Sequence, residues 1–143
     1  MNPENIDRKK YFNELTHRVL GLCIEVHREL GPGLLESAYE EALAHELTLA
    51  SLSFKRQQDR PLLYKGVKLD CGYRIDFAVE NELLLELKAV NELHPIHHAQ
   101  LLTYLKLENR PLGLLINFNV PRLMDGVRRI VTGDTFNTPP SPN

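Results

Sequence analysis

The chain has 143 residues, of which 43% are hydrophobic and 25% are charged. This length fits one domain, and this composition excludes a fibrous or mainly disordered protein. The formal net charge of −2 argues against a histone-like protein that binds nucleic acid through overall charge alone. A local basic groove stays compatible with it, because several carboxylates in one site lower the total charge.

The cysteine usage and the N-terminal sequence point to a cellular compartment. Cys23 and Cys71 have no zinc-ligand spacing, and the charged N-terminus has no apolar signal core. No apolar run reaches the roughly 18 residues that a membrane-spanning helix needs. We therefore expect a reduced, cytoplasmic protein without a membrane segment.

Helical periodicity predicts the first two elements of the chain. One apolar stripe with spacings of three and four is formed by Phe12, Leu15, Val19, Leu22, Val26 and Leu30. This stripe predicts a helix over residues 7–30, with Asp7 as its N-cap. The sequence Gly31-Pro32-Gly33 ends that helix, because proline lacks a backbone donor. A second helix is expected over residues 35–50.

The later part of the chain predicts a sheet with one crossover helix. Strands are expected over residues 54–57, 61–69, 73–79, 83–90 and 112–118, with a break at Lys65-Gly66 in the second. A helix is expected from Pro95 to Glu108, and a short helix or a final strand over residues 120–131. The fold class is therefore α/β (an α+β mixed sheet), with four to five strands flanked by helices. Residues 1–131 form the single domain, and residues 132–143 are expected to be a disordered tail.

A hairpin between the third and fourth strands concentrates charged residues on one face. Opposed residues of a hairpin share a face, and faces alternate along each strand. A three-residue loop centred on Asn81 predicts an apolar face formed by Ile75, Phe77, Val79, Leu83, Leu85 and Leu87. The same register places Asp76 opposite Glu86, with Lys88 one pleat further along.

Two carboxylates and a lysine in one place suggest metal-dependent hydrolysis. Two carboxylates can hold a hard divalent cation, and a neighbouring lysine can orient or activate water. The alternative is an exposed sheet face with a cross-strand salt bridge. The sequence LLLELKAV around Glu86 argues against that alternative, because it is too apolar for a well-solvated edge strand.

The hairpin motif resembles the core of a nuclease superfamily. Asp76, followed ten residues later by Glu86-Leu87-Lys88, resembles the PD-(D/E)XK nuclease core, although Ile75 stands where the superfamily name has proline. The resemblance covers residues 15–131 and implies a restriction-endonuclease-like core. It also implies that Asp76 and Glu86 are metal ligands, that the Leu87 carbonyl is a further ligand, and that Lys88 is the catalytic lysine.

Two further motifs resemble particular branches of that superfamily. Gln100 and Tyr104 resemble the QxxxY motif of the RecB-like and lambda-exonuclease-like branch; their four-residue spacing puts them on one helix face, which would look into the site. Gly33, Glu36 and Tyr39 match the signature of the GxxExxY proteins, in which Glu36 would reach the metal directly or through water. Each position also has a structural explanation: the helix dipole for Glu36, core packing for Tyr39, and a plain helix surface for Gln100 and Tyr104.

The resemblance implies a Mg²⁺- or Mn²⁺-dependent nuclease, or more narrowly an exonuclease, whose expected substrate is DNA rather than RNA. By analogy with ring-forming exonucleases, a homo-oligomer is expected. Basic residues of the first strands either form a solvated surface or line a groove for a phosphodiester backbone; they are Lys55, Arg56, Arg60, Lys65, Lys68 and Arg74. Two other functions stay open: a non-catalytic nucleic-acid- or protein-binding module that retains the fold, and a metal-dependent hydrolase of another phosphoester.

Overall fold

The computed structural model describes residues 3–133, so the expected tail lies outside the described residues from residue 134 onward. In chain order the elements are α1 (Pro3–Leu30), α2 (Glu36–Leu49), β1 (Phe54–Tyr64), β2 (Val67–Val79), β3 (Leu83–Lys88), α3 (Pro95–Glu108), β4 (Leu112–Asn117), a 3-10 helix (Leu123–Gly126) and β5 (Val127–Val131). Within this described part, no helix combines the length and the apolar character needed to cross a membrane.

The five strands form one mixed sheet in the order β1-β2-β3-β4-β5. β3 and β4 are parallel, and all other neighbours are antiparallel. α3 makes the crossover between the two parallel strands, as the order of elements predicted. The α+β fold class with a mixed sheet flanked by helices is therefore confirmed.

Both faces of the sheet are covered by helices, which explains why β3 and β4 are apolar on both sides. α1 and α2 cover one face, where the core includes Phe12, Val19, Tyr39, Leu43, Phe77, Leu85, Leu87, Leu114 and Phe118. α3 covers the other face, where a smaller core is formed by Ile75, Ala78, Leu84, Leu101, Leu105, Leu115 and Ile130. Each such fully buried aliphatic or aromatic side chain contributes roughly 1.5–3 kcal/mol.

The β2–β3 hairpin has the predicted register, with one correction. Phe77 pairs with Leu85 and Val79 pairs with Leu83, but the ladder ends at Phe77, so Asp76 and Glu86 do not form the cross-strand pair that the register predicted. Ile75 was expected on the same face as Phe77, and this prediction was wrong, because Ile75 is buried in the α3 core. The cause is a break in the β1–β2 ladder, where Gln57 has a φ of 50° and does not pair with Asp76. The side-chain alternation therefore changes sides at this point.

Several element boundaries also differ from the sequence-based expectations. α1 begins at Pro3 rather than at Asp7, in agreement with the preference of proline for a first helical turn. The two strands expected over residues 54–69 are β1 and the beginning of β2, and Lys65-Gly66 is the turn that joins them. Both turn residues have positive φ, 50° and 81°, as tight hairpin turns require. Residues 120–131 hold both the short helix and the final strand.

Candidate active site

Asp76 and Glu86 lie where the ladder between β2 and β3 ends. Asp76 is 8% exposed and Glu86 is 6% exposed, so both carboxylates are buried. The backbone N–H of Leu87 donates to Asp76 Oδ2 at 2.9 Å. The Asp76 side chain therefore replaces the next backbone hydrogen bond of the ladder, and this contact holds Asp76 beside β3.

Glu86 has an oxygen that the described residues leave without a partner. Its Oε2 is buried and accepts no hydrogen bond within residues 3–133, while its Oε1 lies 3.8 Å from Lys88 Nζ. When the carboxyl is ionised, a buried oxygen without a donor is costly, on the order of 1–3 kcal/mol or more. A bound cation would remove this cost, so the position fits a metal ligand.

The pKa values of the two carboxyl groups are raised. Burial raises the pKa of Glu86 to about 8; the negative charges of Asp76 and Glu36 act in the same direction and Lys88 acts against it. Burial also raises the pKa of Asp76, against the opposing effects of the Leu87 N–H and Lys88. Two carboxylates in one buried place therefore retain a proton near neutral pH, and a divalent cation can replace that proton.

The first turn of α2 brings Glu36 to the same place. Glu36 is the first residue of α2, directly after the turn that contains Gly33, whose φ is 99°. Burial raises the pKa of the Glu36 carboxyl, Asp76 raises it further, and Lys88 opposes the rise. Glu36 therefore belongs to the electrostatic environment of the hairpin acids.

Tyr39, three residues after Glu36, has a structural role in the turn before α2. Its hydroxyl donates to the carbonyl of Gly31 at 2.7 Å and accepts from the N–H of Leu34 at 3.1 Å. Its ring is fully buried and stacks on Phe118, with the centroids 4.6 Å apart. Tyr39 packs in the core, as expected, and it also fixes the turn from which Glu36 emerges.

A cavity of about 380 Å³ joins these elements. It is lined by Glu36, Ser37, Glu40, Gln57, Asp76 and Leu87. Three of the residues expected at the site, Glu36, Asp76 and Leu87, therefore share one cavity. Glu86 and Lys88 do not line it, but they adjoin Asp76 at the end of β3.

Glu40 and Gln57 also line the cavity, although the sequence motifs did not indicate them. Gln57 Nε2 donates to Glu40 Oε1 and lies 3.4 Å from Asp76 Oδ1, so it bridges α2 and β2. The four-residue spacing between Glu36 and Glu40 could have revealed Glu40, because such residues share one helix face. Gln57 had no such signal, since its position depends on the irregular backbone of β1.

Gln100 and Tyr104 approach the acids from the α3 side. They do not line the 380 Å³ cavity; Gln100 is exposed and Tyr104 is half-buried. The pKa of Tyr104 is raised by burial and then by Glu86 and Asp76, while a hydrogen bond with Gln100 opposes the rise. Tyr104 also stacks on Tyr73, with the ring centroids 5.0 Å apart.

The donor set fits a hard divalent cation with an incomplete protein shell. Within residues 3–133, no three His, Cys, Asp or Glu side chains are gathered closely enough to hold a metal by themselves. Two neighbouring carboxylates match the chemistry of a hard divalent cation, whose shell water and substrate phosphate oxygens can complete. The unpartnered oxygen of Glu86 supports the same assignment.

Comparison with known proteins identifies one family. A model of the PD-(D/E)XK nuclease superfamily matches residues 13–130, a range that includes every residue of the site described above. Comparisons with curated proteins and with solved structures found no match.

Proposed function

The chain belongs to the PD-(D/E)XK nuclease superfamily, and on that premise we propose that it is a divalent-metal-dependent nuclease that cleaves DNA. The superfamily generally hydrolyses phosphodiester bonds and typically uses divalent metal ions. The observation that carries the proposal is the pair of buried carboxylates, Asp76 and Glu86, beside Lys88 and with one carboxylate oxygen unpartnered.

Four groups would hold the metal: the carboxylates of Asp76 and Glu86, the backbone carbonyl of Leu87 and the carboxylate of Glu36, directly or through water. Their oxygen atoms favour Mg²⁺ or Mn²⁺ over zinc. When bound, the cation would supply electrostatic stabilisation of the phosphate and a lowered pKa for water.

Lys88 has a separate role in the proposed reaction. Its ammonium group lies 3.8 Å from Glu86 Oε1 and its side chain is 19% exposed, so it is partly shielded from solvent. From this position it would orient the attacking water or stabilise negative charge that develops on the phosphate. In-line attack with departure of the 3′ oxygen would leave a 5′ phosphate.

The finer assignments extend the superfamily membership. Gln100 and Tyr104 would act from α3 on the substrate side of Glu86, as in the RecB-like and lambda-exonuclease-like branch. The turn fixed by Tyr39 supports placement among the GxxExxY proteins, because it gives each position of that signature a structural reason. A homo-oligomer that encloses DNA, with exonuclease activity, completes the proposal.

The test compares cleavage of labelled single-stranded DNA, double-stranded DNA and RNA with Mg²⁺, with Mn²⁺ and with chelator. We expect metal-dependent degradation of DNA that is abolished in Asp76→Asn. Asp125→Asn is the matched control, because Asp125 is an exposed residue of the 3-10 helix away from the acids. Binding without cleavage under all conditions, or equal cleavage by wild type and Asp76→Asn, would overturn the proposal.

A further inference from the structure

Basic residues are concentrated in one segment of an otherwise acidic chain. Residues 54–75 contain six basic and two acidic side chains, a net charge of +4, while the whole chain has a formal charge of −2. The rest of the protein is therefore strongly acidic. Arg56, Arg60 and Arg74 form ion pairs with carboxylates, so the local positive potential that attracts polyanions comes from the lysines of the segment.

This segment, which we call the β1–β2 arm (residues 54–75), extends beyond the body of the sheet. β1 is one of the two edge strands of the described sheet, and β3 pairs with β2 only from Phe77 to Val79. The rest of β2 is paired with β1 alone. The arm therefore exposes backbone and side chains over most of its length.

A change of register bends the arm. Leu62 of β1 stands opposite residues 69–71 of β2, so β2 has two extra residues at this point. Gly72 allows the close approach of the strands, because a Cβ atom there would lie 2.1 Å from the carbonyl oxygen of Arg60. A cavity of about 560 Å³ lies at this bend, and its lining includes Arg60, Lys68 and Arg74 together with Asp59 and Asp70.

The tip of the arm carries cations and exposed apolar groups. Leu63, Tyr64 and Val67 are each at least 60% exposed around the turn. Lys65 Nζ lies 5.5 Å from the centre of the Tyr64 ring. Within the described part of the chain, Lys65 and Lys68 form no ion pair with a carboxylate. Their charges therefore stay available for phosphates, and the face of the Tyr64 ring that Lys65 does not cover stays available for a base.

The base of the arm adjoins the candidate active site. Gln57 and Asp76, at this base, both line the 380 Å³ cavity. Farther along, Arg60 Nε donates to Glu108 Oε2 at 3.1 Å, and the Tyr73 hydroxyl donates to the same oxygen. These contacts hold the arm against α3, so a strand bound along the arm would run toward the carboxylates.

We propose that the β1–β2 arm binds the phosphodiester backbone of the nucleic acid that the carboxylates cleave, with Lys65 and Lys68 as phosphate contacts. The identity of this nucleic acid as the substrate rests on the proposed function. The arm itself adds binding strength and direction, and it takes no part in the chemical step.

The test measures binding of labelled DNA without divalent metal, between about 50 and 200 mM salt. The variant is Lys65→Gln/Lys68→Gln. The matched control is Lys9→Gln/Lys10→Gln, which makes the same charge change at two exposed positions of α1. We expect the arm variant to bind at least about 10-fold more weakly, with a salt slope shallower by about 0.7–0.9 for each lost phosphate contact. The control keeps wild-type binding.

Cleavage kinetics separate this proposal from the proposed function. With the arm variant we expect a raised KM and an unchanged kcat, because the carboxylates and Lys88 are intact. If the wild type cleaves DNA and the arm variant has the same KM and the same DNA affinity, the proposed role of the arm would be overturned and the nuclease function would stand. If DNA binding depends on the arm but the wild type cleaves no nucleic acid, the role of the arm in binding would stand and the nuclease function would be overturned.

Two further outcomes would overturn the arm as a nucleic-acid surface. One is an equal loss of binding in the arm variant and the α1 control, which would indicate a nonspecific charge effect. The other is self-association that is lost in Leu63→Ser/Val67→Ser while DNA binding is unchanged, which would assign the tip to a second copy of the chain. Sedimentation measurements on both variants detect the latter, and unchanged melting temperatures confirm that each variant is folded.

Discussion

The carboxylate of Asp76 accepts a hydrogen bond from the backbone N–H of Leu87 at 2.9 Å, at the point where the β2–β3 ladder ends. This bond satisfies a backbone donor that strand pairing no longer reaches, and it fixes the side chain beside Glu86. One of the proposed metal ligands is therefore held by the residue whose carbonyl is proposed as another. The candidate site therefore lies at the point where β2 and β3 stop pairing.

Substitution of Lys88 separates cation binding from catalysis. Lys88→Met retains Asp76 and Glu86 and removes a positive neighbour, so a divalent cation should bind at least as well once Glu86 is ionised. Because Lys88 lowers the pKa of Glu86, which is about 8 in its presence, that ionisation needs a higher pH in the variant. We expect cleavage to fall at least about 10²-fold, the usual effect of losing an acid–base or electrostatic group. Calorimetric Mn²⁺ titration beside a DNA degradation assay measures both quantities. Lys106→Met, at an exposed position of α3, serves as the control. Full activity in Lys88→Met would refute the proposed role of Lys88.

Gln57 combines a strained backbone with contacts to two acids. A non-glycine residue with φ near 50° costs about 1–2 kcal/mol, so Gln57→Gly should be about 1 kcal/mol more stable than Gln57→Ala. Both variants should lose activity, because both lose the contacts to Glu40 and Asp76. Denaturant unfolding and a cleavage assay are the measurements.

The neighbouring Gln58 provides the matched control for this experiment. Its φ is not positive, so Gln58→Gly should be less stable than Gln58→Ala by roughly 0.5–1 kcal/mol, the ordinary order in a strand. Neither Gln58 variant should change activity. The same order of stabilities at both positions would contradict the assignment of strain to Gln57.

The stability of the metal-free protein should depend on the Glu86 carboxyl. Its pKa is about 8 in the folded state and 4.5 as the ordinary value, so between these pH values the folded state holds a proton that the unfolded state releases. Stability should therefore be highest below about pH 4.5 for this group and fall as pH rises through 8, by at most about 1.4 kcal/mol per pH unit. Melting temperatures recorded in chelator across this range show the decline.

Two comparisons test the origin of this pH dependence. Glu86→Gln cannot ionise and should lose most of the decline, whereas Glu41→Gln, on the exposed side of α2, should retain it. Added Mg²⁺ should stabilise the protein more as pH rises, because the cation binds the ionised carboxylates. A decline of equal size in Glu86→Gln would assign the effect to another group.

The hydroxyl of Tyr39 should contribute to both the free energy of unfolding and metal binding. Tyr39→Phe keeps the stacking on Phe118 and removes the two hydrogen bonds to the turn before Glu36. We expect a loss of about 1–2 kcal/mol in the free energy of unfolding, together with weaker metal binding. Tyr64→Phe, at the exposed tip of the β1–β2 arm, should change neither. Unchanged stability in Tyr39→Phe would show that the turn is held by other contacts.

The sequence predicted the regular parts of the fold because their patterns are local. The α1 stripe, the three-residue loop around Asn81 and the Pro95 start of α3 follow from periodicity and turn chemistry. The structure has the loop and the start of α3, and it buries or half-buries the stripe except at its end, where Leu30 is exposed. The placement of Ile75 failed because it depends on an irregular pair, Gln57 and Asp76, that no period-2 pattern shows. A break in one ladder reverses the faces of the residues beyond it.

The site could be predicted only where a short motif carries it. The proximity of Asp76, Glu86 and Lys88 was expected from the hairpin motif and that of Glu36 from its own motif, while the functional roles of these residues stay predictions. Gln57 lies 17 residues from Glu40 and 19 residues from Asp76 in the sequence, and it contacts both only in the folded chain, where its φ is positive. Tertiary contacts of this kind have no local signature.

The most direct measurement of the central claim is anomalous diffraction from a crystal soaked in Mn²⁺. We expect a strong anomalous peak within about 2.0–2.6 Å of carboxylate oxygens of both Asp76 and Glu86, the range for hard divalent cations bound to oxygen. The peak should be absent from crystals of Asp76→Asn soaked in the same way. No peak between Asp76 and Glu86 at saturating Mn²⁺, with the Glu86 carboxylate still unpartnered, would contradict the account.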